Sequence, residues 1–124
     1  MRDPDGGVLL VEDNHEVREG LARVLRQWGF EVATAENGLE ALAKLEGGTY
    51  RAVVCDIMMP VMDGIRLYQL LELRHPQMAK HVMFVSAWFD DPEVQAFLAR
   101  TGCPILRKPF EINDFIRAVE EVAA

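Results

Sequence analysis

Three carboxylates, a hydroxyl and an ammonium stand at the ends of short apolar runs in this chain. Glu12 and Asp13 follow VLLV, Asp56 follows AVVC, Ser86 follows VMFV, and Lys108 lies in RKPF. Together such groups can hold a divalent cation and handle a phosphoryl group. Open parallel sheets place their ligand crevice where runs of this kind end.

Glu12, Asp13 and Asp56, if they converge, bring three negative charges together, an arrangement that is costly without a cation. Magnesium fits best, because it prefers hard oxygen ligands and keeps several waters. The alternative for the acidic pair is helix capping and dipole complementarity. Asp56 sits at the edge of an apolar strand, where an unpaired carboxylate is disfavoured. It can act as a nucleophile toward phosphorus, with a metal neutralising the phosphoryl oxygens; alternatively it is a turn residue satisfied by backbone donors. Ser86 can donate to a phosphoryl oxygen or close a local turn. Lys108 can supply a point positive charge, or be an ordinary exposed lysine.

Strand and helix patterns alternate five times around these residues. Strands are predicted at 8–11, 52–57 and 82–87, at 31–35 as a short alternating strand, and at 104–108 as a short fifth strand. Helical spacing recurs in Val17, Leu21, Val24, Leu25 and Trp28; in Leu39, Leu42 and Leu45; and in Ile65, Leu67, Leu70, Leu71 and Leu73. A fourth helix starts at Asp90–Asp91–Pro92 and runs to Arg100, and a fifth carries Ile112, Phe115, Ile116, Val119 and Val122. Alternation of this kind implies right-handed crossovers and a parallel sheet covered on both faces, an α/β sandwich of three layers with five strands and five helices. In a doubly wound sheet, the carboxyl ends of strands one, three, four and five carry the acidic pair, Asp56, Ser86 and Lys108.

At 124 residues the chain fits one domain able to bury a core without staples. Residues 1–7 read as a flexible N-terminus and 8–124 as the domain. The net charge of -7 argues against a phosphate-backbone partner, so no direct nucleic-acid contact is expected. Cys55 and Cys103 form no CxxC and lie in apolar surroundings, which suits buried thiols in a reducing compartment. No run approaches membrane-spanning length and no leader pattern opens the chain, so no membrane insertion and a cytoplasmic location are expected.

LLVEDN, DIMMPVMDG, FVSAW and RKPF, in this order and with these intervals, resemble the receiver (response-regulator) domain of two-component signalling. The resemblance spans Val8 to Val122. It implies the flavodoxin-like strand order 2-1-3-4-5 and a phosphoacceptor function, with phosphoryl transfer from a histidine kinase or a histidine phosphotransfer domain. By position it implies Asp56 as the acceptor and Glu12 and Asp13 as the acidic pair that binds Mg2+ with Asp56. The backbone carbonyl of Met58 completes that metal site. Ser86 matches the switch hydroxyl and Lys108 the phosphate-contacting lysine, with a cis bond between Lys108 and Pro109. Pro60 and Gly64 fit the tight loop after the acceptor. A phosphorylation-dependent dimer is a further expectation, and no catalysis is expected beyond the chain's own phosphorylation and dephosphorylation.

One position departs from the pattern. Many receivers carry Tyr or Phe three residues before the lysine, where this chain has Ile105. The response to phosphorylation is therefore expected around Ser86, the loop after it and the helix from Pro92. Met58 and Trp88, two residues beyond the acceptor and the hydroxyl, are expected to hinder water and slow the loss of phosphate. The TGCPILRKPF ending resembles receivers of hybrid sensor kinases or stand-alone receivers. An Asp-nucleophile phosphohydrolase shares the chemistry but resembles a DxD pattern, and Met58 holds the second acidic place. A flavin module of this fold would cradle a phosphate after the first strand, where EDNHE repels one. A plain interaction module with a silent acceptor is the third alternative.

Overall fold

The computed structural model describes residues 7–59, 61–87 and 90–124. Apart from Gly7, the expected flexible N-terminus lies outside the described residues, as do Pro60 and Trp88. Five strands, β1 (Val8–Val11), β2 (Val32–Ala35), β3 (Ala52–Asp56), β4 (Val82–Ser86) and β5 (Ile105–Arg107), form one parallel sheet in the order 2-1-3-4-5. The connecting helices are α1 (His15–Gln27), α2 (Gly38–Gly47), α3 (Gly64–Arg74), α4 (Pro76–Ala79), α5 (Pro92–Thr101) and α6 (Ile112–Ala123). The doubly wound α/β expectation is met.

Strand pleat divides the core in two, because successive side chains point to opposite faces. Leu9, Val11, Val53, Cys55 and Phe84 face α2, α3 and α5, whereas Val8, Leu10, Val54, Met83 and Val85 face α1 and α6. β1, β3 and β4 are buried throughout on both faces and read as continuous apolar runs, whereas the edge strands β2 and β5 are only partly buried. Asn14, Asn37, Asp63 and Asp91 cap the helices that follow them, each side chain accepting a backbone amide of the first turn. At the far end of α5, Gly102 takes a left-handed φ of 67°, and its amide donates to the Leu98 carbonyl at 2.8 Å.

Helix count and helix faces need correction. Five helices were expected and six are present among the described residues: Pro76 ends α3 as anticipated but then opens the single turn of α4, its missing N–H costing nothing there. Leu39 and Leu73 are 55% and 82% exposed. The buried stripe of α3 runs through Leu67, Tyr68 and Leu71, and Leu73 lies on the opposite side. Tyr68 packs edge-on with Phe84 and Phe97 at centroid distances of 6.1 and 5.4 Å, an aromatic contribution the leucine spacing hid. In α1 the buried stripe is Arg18, Leu21, Ala22 and Leu25, so Val17 (38% exposed) and Trp28 (56% exposed) flank the core instead of joining it. Ile112 is likewise exposed, and Cys103 is half-buried where a buried thiol was expected.

Candidate functional site

Register brings the chemistry-bearing residues to one edge. Val11 pairs with Cys55, so Glu12 leaves β1 beside Asp56 at the end of β3. Asp56 pairs with Val85, which puts Ser86 one residue further along the next strand. Ser86 is fully buried and pairs with Arg107, and its carbonyl accepts the Lys108 amide at 3.0 Å. The Lys108–Pro109 bond is cis, as the resemblance implied.

Carboxylate oxygens of Glu12, Asp13 and Asp56 lie within 4.8 Å of one another. Glu12 and Asp56 are buried, with 2% and 7% exposure, and Asp13 is exposed at the mouth. Lys108 Nζ bridges the buried pair, 2.9 Å from Glu12 Oε1 and 2.9 Å from Asp56 Oδ2. The remaining oxygens are held by the main chain: the Met58 amide donates to Asp56 Oδ1 at 3.1 Å and the Asn14 amide to Glu12 Oε2 at 3.1 Å. Three carboxylates against one ammonium leave two negative charges in excess, the charge of one divalent cation. The donor set is all oxygen, which suits a hard ion.

The tight turn after Asp56 depends on Gly64. A Cβ there would stand 2.8 Å from the Asp56 carbonyl oxygen and 3.0 Å from Ile57 Cα, so α3 starts closer to the end of β3 than any side chain allows. Asp63, which caps α3, accepts the Arg66 amide at 2.9 Å and is taken up by that role. Met58 contributes its amide to Asp56 while its side chain is 45% exposed beside the site. Ile105 is half-buried in β5 and pairs with Phe84.

Electrostatics follow from this crowding. Partial burial, a hydrogen bond to Glu12 and the charge of Glu12 raise the Asp13 carboxyl above its ordinary value of 3.8. Burial pulls Lys108 down, but hydrogen bonds to Asp56 and Glu12 outweigh it, and the net result lies above the ordinary 10.5. Burial, with the negative charges of Asp56 and Glu12, raises the Cys55 thiol well above 9.0, so it is a packed thiol and no thiolate nucleophile.

The Lys108 shift has a sign that can be measured. A lysine whose folded value is raised adds stability that is fully present below the unfolded value and is lost as pH climbs through the folded one. Urea unfolding of the metal-free protein is therefore expected to show a loss of stability above pH 10.5 that Lys108→Met lacks. Parallel alkaline profiles for the two proteins would mean that the bridge adds nothing to folding.

Arg18 was missed from sequence. It is 7% exposed, its Nη1 donates to the Glu12 carbonyl at 2.9 Å, and its Nη2 lies 3.0 Å from His15 Nδ1. The signal was available: Arg18 stands three, four and seven residues before Leu21, Ala22 and Leu25. The hydrophobic count passed over it because it is charged.

Comparison with known proteins adds the family. The response regulator receiver domain family matches residues 8–120. The sensor kinase CckA of Brucella abortus is 38% identical over 117 residues, covering 93% of this chain and 12% of that protein. The response regulator receiver protein CpdR of the same organism is 28% identical over 93% of this chain and 94% of its own length. The structure of the response regulator protein TrrA from Thermotoga maritima in complex with Mg2+-BeF matches with a TM-score of 0.77 at 27% identity, over 94% of this chain and 98% of that one. The chain spans less than half the length of the first curated relatives it matches.

Proposed function

The chain belongs to the response regulator receiver domain family, and on that premise we propose that Asp56 accepts a phosphoryl group from a phosphohistidine on a histidine kinase or histidine phosphotransfer domain. One observation carries this reading: a buried carboxylate bridged by Lys108 at 2.9 Å, with Glu12 and Asp13 within 4.8 Å. Glu12, Asp13, Asp56 and the Met58 backbone carbonyl would hold Mg2+. When bound, the ion neutralises phosphoryl oxygens and lets a carboxylate approach phosphorus.

Oδ2 is the attacking oxygen in this reading. Oδ1 is fixed by the Met58 amide, whereas the partner of Oδ2 is an ammonium on a flexible stem that can follow the arriving oxygens. Oδ2 bonds to phosphorus, the P–N bond breaks, and its electron pair returns to an imidazole that leaves neutral when its other nitrogen carries a proton. Lys108 then pairs with a phosphoryl oxygen, and the Ser86 hydroxyl donates to another. Beside Lys108, a groove of about 410 Å3 lined by Val17, Leu21, Ala87, Pro109 and Phe110 suits an apolar helix face of the donor. Acetyl phosphate with magnesium, read by intact mass, tests the acceptor function; no added phosphoryl would overturn it.

The domain spans 8–124 in this reading. Its role is signalling, without catalysis beyond its own phosphorylation and dephosphorylation. It has no direct nucleic-acid partner, and the phosphorylated form dimerises. Among the described residues no helix is long and apolar enough to cross a membrane; the proposed location is the cytoplasm. With Ile105 in place of an aromatic, the response centres on Ser86, Ala87 and α5. Hydrogen exchange of the phosphorylated chain is expected to change most there, and a larger change in α1 would contradict this.

Met58 bears on the lifetime of the product. It stands two residues beyond Asp56, is 45% exposed, and its side chain has no group that orients an attacking water. Met58→Asn is expected to speed phosphate release after the donor is removed, and an unchanged rate would place lifetime control elsewhere. Trp88, the second expected barrier, lies outside the described residues.

A further inference from the structure

We propose that Arg18 is the positioning residue of the acidic pair, aiming Glu12 and Asp13 by clamping the main chain that carries them. The inference rests on reading those two residues as metal ligands. An arginine buried to 7% exposure near three carboxylates would ordinarily pair with their side chains and compete with a metal for them. Arg18 does otherwise. Its Nη1 donates to the Glu12 carbonyl at 2.9 Å and reaches the Asp13 carbonyl at 3.5 Å. Its Nη2 lies 3.0 Å from His15 Nδ1 and 3.6 Å from Glu36 Oε1.

This leaves the carboxylate oxygens free for other work. Those of Glu12 meet Lys108 and the Asn14 amide instead of the guanidinium, and its carboxylate lies within 4.8 Å of those of Asp13 and Asp56. The fork spans contacts at both residues of the acidic pair and at His15, the first residue of α1, so the turn between β1 and α1 cannot rotate without breaking them. Removing the guanidinium strands a buried carbonyl and frees that rotation. A lysine offers one donor point and cannot span the same set.

Mg2+ titration calorimetry on the whole chain tests this. Groups that orient metal ligands typically cost about 10–100-fold in affinity when lost, and a loss of that order is expected for Arg18→Met. Arg18→Lys is expected to be weakened as well, because charge without the fork does not hold the turn. Phosphorylation by acetyl phosphate in these variants should need more magnesium but return to the wild-type rate at saturation. A merely structural role would instead lower the melting temperature and the saturated rate while leaving magnesium affinity unmoved. Wild-type affinity in Arg18→Met overturns the proposal, and wild-type affinity in Arg18→Lys overturns the fork. Should Arg18→Met fail to fold, Arg18→Lys decides alone. If the wild-type chain itself bound no magnesium, the metal reading would fall first and this inference with it.

Discussion

Asp56→Asn is expected to abolish phosphoryl transfer to the chain. Asn keeps the shape and can still accept the Met58 amide through its carbonyl oxygen, but an amide is no nucleophile toward phosphorus, so the loss is of chemistry and not of fold. After incubation with acetyl phosphate and magnesium, intact mass should show one added phosphoryl on the wild-type chain and none on the variant. The variant should also melt no lower than wild type without metal, because one of three crowded carboxylates has lost its charge. Addition at the wild-type rate would remove Asp56 as the acceptor. Loss of the mass together with a low melting temperature would mean that the Lys108 bridge to Asp56 is needed for folding, and that the chemical test had not been met.

Asp13→Ala should weaken magnesium binding by at least about tenfold, since a direct ligand counts for no less than the groups that orient one. Asp13 is the exposed member of the trio and its carboxyl is already raised above 3.8 by partial burial and by Glu12. Both facts say that it is held in an unfavourable place which a cation would relieve. Phosphorylation should fall in parallel and recover as magnesium is raised, because Asp56 and Lys108 are left in place. Calorimetry showing the same affinity in variant and wild type would return Asp13 to a turn role. The helix cap already belongs to Asn14, whose side chain accepts the Val17 amide at 3.0 Å, so the capping alternative for the acidic pair has lost its main support.

Receiver domains occur in proteins of very different length. The chain aligns with a small part of CckA and with nearly the whole of CpdR, so its relatives include both arrangements. In the proposed reading, α5 and the groove beside Lys108 are the surfaces through which the response to phosphorylation acts, because one fold can carry different functions on different surfaces.

Alternating apolar runs and helical spacings determined the layer order of this protein, and the types of five residues at run ends pointed to the chemistry proposed for it. Those features are local: a strand dry on both faces must be apolar throughout, and a carboxylate at its end is visible as an interruption. Tertiary structure alone decided which helix faces turn inward. Arg18 is buried, and Val17 and Trp28 are exposed, because α1 sits rotated toward the turn that holds Glu12 and Asp13. A count of hydrophobic residues alone misses that rotation, since a charged residue with main-chain partners is left out of it even at helical spacing. The same limit applied to Leu39, Leu73 and Tyr68. The ammonium bridge between Glu12 and Asp56 likewise joins groups separated by 96 and 52 positions, and only the register of a parallel sheet brings them to one point.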